Sequence, residues 1–119
     1  MVWQKAMALA DTVLTISEKM PATQRYIMCS QIERAAISVP ANIAEGRSRH
    51  SEKDFIYHLN IARGSLAELE TLLMLSHQRN YIQQETLSYC LSLSEEITKM
   101  LHSLKSSLSQ QVELKLAKT

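Results

Sequence analysis

Glycine and proline are nearly absent from this chain, with two of each in 119 residues. A fold of many short strands needs a turn signal every 8–12 residues or so, so this scarcity excludes most β architectures and leaves a few long helices. Aromatic residues make up only 5% of the chain. Its two cysteines, Cys29 and Cys90, stand alone. With neither CxxC spacing nor a disulfide framework, they are expected to be small apolar core residues of a protein in the reducing cytoplasm. Long apolar runs are missing too. The opening MVWQKAMALADTVLTI is broken by Lys5 and Asp11, so it reads as amphipathic rather than as a signal peptide or a membrane span.

Charge of one sign is lacking. Thirteen Lys and Arg against twelve Asp and Glu leave a formal net charge of +1. No global basic field draws the protein to nucleic acid, so any such binding must rest on a local cluster. The signatures of catalysis are also missing. None of His50, His58, His77 or His102 has a Glu three residues before it, which removes the Glu-x-x-His pairs of di-metal bundles. No glycine-rich phosphate loop or nucleophile elbow occurs. Asp54 and His58, four residues apart, suit a surface contact better than a general-base pair. No catalytic residue, metal ligand, cofactor or small-molecule substrate is therefore expected, and the chain does not read as an enzyme.

What is present is helical periodicity. The spacing predicts an all-α protein with helices over about 3–19, 24–45, 52–79 and 84–108, within a single domain of residues 1–119 whose last ten residues or so fray. In the first helix Trp3, Met7, Ala10, Leu14 and Ser17 form one stripe, and Leu9, Val13, Ile16 and Met20 an adjacent one. Pro21 ends this helix, and Thr23 is placed to cap the next. There Met28, Ile32, Ala35, Val39 and Ile43 mark the inward face, with small Ala36, Ala41 and Ala44 allowing close approach. Pro40 interrupts that face and should kink the helix. Gly46 is the expected left-handed stop.

Ser51 to Asp54 forms a Ser-x-x-Asp capping signal for the third helix. From it Phe55, Leu59, Ala62, Leu66, Leu69 and Leu73 recur at steps of four and three. Gly64 sits inside this run at a cost of about 1 kcal/mol relative to Ala, which implies a close neighbouring helix. The fourth helix carries Leu87, Cys90, Ser94, Ile97, Leu101, Leu104 and Leu108 in unbroken alternation. Short connections at 20–23, 46–51 and 79–83 make successive helices antiparallel, giving an up-down-up-down four-helix bundle.

One segment offers a site. Arg47-Ser48-Arg49-His50, followed by Lys53, lies between a helix C-terminus and a helix N-terminus. Guanidinium groups and open backbone donors there can hold phosphates. The plainer reading makes Arg47 a cap on the last carbonyls of helix two and Arg49 a surface ion-pair partner. Glu45 and Arg63 are candidates for a structural ion pair between helices two and three.

The run SVPANIAEG, then R-S-R, then S-E-K-D-F, then L-N-I-A-R-G-S-L-A-E-L-E, resembles the four-helix-bundle proteins encoded in intervening sequences of bacterial 23S ribosomal RNA genes. The resemblance covers nearly the whole chain and is most specific between Ser38 and Glu70. It implies a small antiparallel bundle assembled as a ring-like homopentamer. That family is similar to the accessory variability proteins of diversity-generating retroelements, which bind nucleic acid and a reverse transcriptase. Those relatives are strongly basic, whereas this chain is nearly neutral. Two functions follow as expectations: a non-enzymatic oligomeric scaffold that binds RNA or a ribonucleoprotein partner through Arg47, Arg49 and Lys53, or a protein–protein adaptor with no nucleic-acid role.

Overall fold

The computed structural model describes residues 1–118, so Thr119, the last residue of the expected frayed tail, lies outside the described residues. Among the described residues there are four α-helices: α1 (Val2–Glu18), α2 (Ser30–Arg47), α3 (Glu52–Gln78) and α4 (Gln84–Ala117). Each packs against its sequence neighbour and α1 closes on α4, giving the antiparallel four-helix bundle that the short connections dictate. The molecule measures 57 × 23 × 19 Å, elongated because α4 alone has 34 residues.

The inward faces of α2, α3 and α4 follow the sequence spacing. Met28, Ile32, Ala35, Val39 and Ile43 are buried, as are Leu59, Ala62, Leu66, Leu69 and Leu73, and Leu87, Cys90, Ile97, Leu101 and Leu108. Phe55 and Leu104 pack against this core half-buried. Helix α1 corrects the expectation. It buries Val2, Ala6, Leu9, Ala10, Val13 and Ser17, while Trp3 and Met7 remain 39% and 45% exposed. The two apolar stripes are together too wide for one groove, and the buried face runs between them, taking Ala10 and Ser17 from one and Leu9, Val13 and Met20 from the other, so that bulky Trp3 and Met7 are left outside.

Helix two begins differently from its expected start at Gln24. After Pro21 a 3-10 turn spans Ala22–Gln24 and a π-helical turn spans Arg25–Cys29, before the α-helix proper starts at Ser30. Thr23 caps nothing. The backbone is already helical through Arg25–Cys29, so the first N–H groups of α2 have carbonyl acceptors ahead of them. The wide turn sets Met28 and Cys29 both inward while Tyr26 and Ile27 face solvent.

Pro40 lies buried inside α2, which runs on past it to Arg47. Gly46 is inside the helix as well. No glycine has positive φ, so Gly46 is not the left-handed stop. Its role is steric: a Cβ there would meet Phe55 Cδ1 at 2.8 Å, His58 Cβ at 2.9 Å and the Phe55 carbonyl oxygen at 3.3 Å. Gly64 is the reverse, with nothing within 4 Å of the corresponding position, so the close helix expected beside it is absent within the described chain. The left-handed stop falls instead at Asn80 (φ 65°), after α3. There Asn80 N–H donates to His77 O and Tyr81 N–H to Ser76 O, the two-bond ending that a left-handed residue permits and that Asn tolerates. At the far end of the chain, α4 continues to Ala117 rather than stopping near Leu108.

Buried polar groups tie the helices in pairs. Ser17 Oγ of α1 donates to Glu33 Oε2 of α2 at 2.6 Å, and Ser94 Oγ of α4 donates to Glu70 Oε2 of α3 at 2.6 Å. Both serines are 1% exposed. Between α2 and α3 a chain of bonds runs from Ser65 to Ser38, from Asn42 Nδ2 to Ser38 Oγ, and from Asn42 Oδ1 to His58 Nδ1. No buried side-chain N or O among the described residues lacks a partner, as a well-packed interior requires.

Candidate nucleic-acid interface

The basic turn joins α2 to α3 at one end of the bundle. Its backbone is closed by the chain itself: Ser48 N–H donates to Ala44 O and Glu45 O, Arg49 N–H to Gly46 O, and Ser48 Oγ to Glu45 O at 2.7 Å. The Ala44, Glu45 and Gly46 carbonyls at the end of α2 are therefore satisfied without the Arg47 side chain. Helix α3 starts as its sequence predicts, with Ser51 Oγ accepting from Asp54 N–H at 3.1 Å. Glu52 and Asp54 occupy its first turn, where a carboxylate meets the positive end of the helix dipole.

The three cations differ. Arg49 Nε lies 3.4 Å from Glu45 Oε2 one turn earlier, an exposed pair of the kind worth a few tenths of a kcal/mol, roughly. Glu45 is thus engaged by Arg49 and not by Arg63, which is exposed on α3. The Arg47 and Lys53 side chains are exposed and make no hydrogen bond or ion pair among the described residues. The stretch 45–54 holds three cations and three carboxylates (Arg47, Arg49, Lys53; Glu45, Glu52, Asp54), so its field is balanced overall. What it offers an anion is two unmatched cations on one turn. The Glu52 carboxylate is occupied in turn by Lys115 Nζ of α4. That hydrogen bond, with a backbone N–H in support, holds the Glu52 carboxyl below the ordinary glutamate range.

Sequence reasoning placed His58 with Asp54, but its Nδ1 lies 3.0 Å from Asn42 Oδ1 on the neighbouring helix, and its ring meets Tyr57 edge-on at 5.3 Å. Asn42 gives its Nδ2 hydrogens to Ser38, so its oxygen is the acceptor and His58 carries its proton on Nδ1. The Asn42 side chain gave no sequence signal. Burial pushes the Cys90 thiol up, which suits an inert core residue. Among the described residues no group of three His, Cys, Asp or Glu is placed to hold a metal ion, and no helix is long and apolar enough to cross a membrane.

An all-helical up-down bundle with a capped basic α2–α3 turn defines the class of the protein. Residues 1–103 match the 23S rRNA-intervening sequence protein family, and the chain belongs to that family. A crystal structure from Bacteroides thetaiotaomicron VPI-5482, described as a protein of unknown function from the S23 ribosomal protein family, superposes with a TM-score of 0.83 at 32% identity, covering 88% of this chain and 98% of that one. No curated protein matches the sequence.

Proposed function

We propose that this protein is a non-enzymatic, cytoplasmic oligomeric scaffold whose α2–α3 turn binds the phosphates of RNA or of a ribonucleoprotein partner. The observation that carries the reading is the pair Arg47 and Lys53, exposed and unmatched beside the closed end of α2. One copy holds too few cations for firm binding, since each phosphate contact adds only a modest electrostatic term. Ring symmetry, in the homopentamer that the family resemblance implies, repeats the pair on one rim and turns two contacts into ten for five copies. Exposed apolar side chains support assembly: Trp3 and Met7 on α1, Ile37 on α2, and Met74 and Leu75 on α3 lie 39–49% open.

RNA binding is measured at low salt and then along a salt series, for the wild type, Arg47→Ala/Lys53→Ala and Arg49→Ala. The double variant is expected to lose most binding and flatten the salt slope, while Arg49→Ala, whose cation is already paired, loses less. Equal, negligible binding by all three defeats the reading. The same exposed apolar residues favour a second reading, a protein–protein adaptor without nucleic acid, with a reverse-transcriptase-type protein among its partners. That reading predicts assembly, measured by light scattering, with no RNA binding at any salt.

A further inference from the structure

At the opposite end of the bundle from the basic turn, α1 stops at Glu18 while α3 runs on to Gln78 and turns into α4. The space left between the last turn of α1 and the α3–α4 turn is a cavity of about 730 Å³. That size lies within the roughly 300–1,000 Å³ typical of small-molecule sites. Its apolar wall is Ile16, Tyr81 and Ile82, all half-buried against the core. Its polar wall carries Lys19, His77, Asn80 and Gln83. Among the described residues Lys19 is the one formally charged side chain lining it. It makes no ion pair among the described residues.

A second, more open hollow of about 440 Å³ adjoins the first, sharing Thr15, Ile16 and Thr86, and it contains Asp11 and Glu85. A chain of phosphates running out of the cavity would meet those carboxylates. A ligand with one compact anionic head would not.

We propose that this cavity binds a small organic anion: one carboxylate or phosphate head paired with Lys19, on a ring-sized apolar body laid against Ile16, Tyr81 and Ile82. The inference is independent of the RNA reading, since the cavity and the basic turn lie at opposite ends of the molecule and share no residue. A Lys at the end of α1 also complements the negative pole of that helix, a role that needs no ligand, so the test must read a ligand.

Phenyl phosphate and benzoate are titrated into isotope-labelled full-length protein, with benzyl alcohol as the neutral analogue, and backbone amide shifts are followed. One or both anions are expected to move the amides of residues 77–86 saturably, and benzyl alcohol not to. Which anion binds more tightly identifies the preferred head group. Lys19→Met should weaken binding at least about tenfold, the loss of one charge-assisted contact, while Lys19→Arg keeps it. Arg47→Ala/Lys53→Ala should leave it unchanged. No saturable shift with either anion, equal binding of benzyl alcohol, an unaffected Lys19→Met, or loss in the turn variant would each overturn the proposal.

Discussion

Two glycines lie in helix interiors, and the structure predicts opposite outcomes for the same substitution. Replacing a helical Gly by Ala gains about 1 kcal/mol from backbone entropy and propensity. At Gly64 the added methyl meets nothing within 4 Å, so Gly64→Ala should stabilise by about 0.5–1 kcal/mol. At Gly46 the new Cβ would stand 2.9 Å from His58 Cβ and 3.3 Å from the Phe55 carbonyl oxygen. Both are fixed to the α3 backbone, so only the nearby Phe55 ring edge can swing away. The two helices must separate, and overpacking of this kind costs about 1–3 kcal/mol. Separation also strains the Asn42–His58 hydrogen bond one turn away. Subtracting the propensity gain leaves about 0–2 kcal/mol, and with the strained Asn42–His58 bond added Gly46→Ala is expected to be destabilised by about 1–2 kcal/mol. Urea unfolding followed by far-UV circular dichroism, at several protein concentrations, measures both variants. Gly46→Ala as stable as the wild type would refute the close-approach argument. A Gly64→Ala loss confined to concentrations at which the chain assembles would place Gly64 in a subunit contact.

Three further outcomes follow from the packing. Val13→Ala, at a position with 0% exposure, should cost about 2–3 kcal/mol in chemical denaturation, whereas Met7→Ala should change the stability of the dissociated chain by less than about 0.5 kcal/mol; the reverse order would mean that the other α1 stripe faces the core. Ser94→Ala removes a bond to a carboxylate and should cost about 1.5–3 kcal/mol, while Ser76→Ala, whose hydroxyl bonds only to Leu72 O of its own helix, should cost about 1 kcal/mol or less. The Glu52 carboxyl titrates below its unfolded value, so its contribution is present above the ordinary glutamate range and is lost as pH falls through the lowered folded value. Amide exchange near Lys115, corrected for intrinsic rates, should therefore quicken on acidification, and Glu52→Gln should quicken it at neutral pH; no change in either case sinks the idea.

The parts legible in the sequence are those governed by one periodicity or one local bond. Leu59 to Leu73 and Leu87 to Leu108 specify their faces through unbroken steps of three and four, and the Ser51 cap needs only Asp54 N–H. Illegible parts depend on a partner distant in the chain. Nothing local shows that Gly46 faces a carbonyl on α3 or that Gly64 faces open space, so their roles could be separated only once α2 and α3 were placed. The π-helical turn at Arg25–Cys29 has no residue signature. At the basic turn the sequence already offered Arg49 as a surface ion-pair partner, and Glu45 lies one helical turn before it; the fold was needed to show that the carbonyls of Ala44, Glu45 and Gly46 are satisfied without Arg47.

The two serine–glutamate bonds also determine how far one helix can slide along another. Moving α1 by one turn along α2 shifts it about 5.4 Å and still sets apolar against apolar, because Leu9, Val13 and their neighbours repeat at helical spacing. Hydrophobic burial alone therefore discriminates weakly between the two alignments. The slide would part the Ser17 hydroxyl from Glu33, and likewise Ser94 from Glu70. Each hairpin thus has a serine–glutamate tooth that engages in one register, and a shifted or exchanged pairing is recognisable by the loss of that bond.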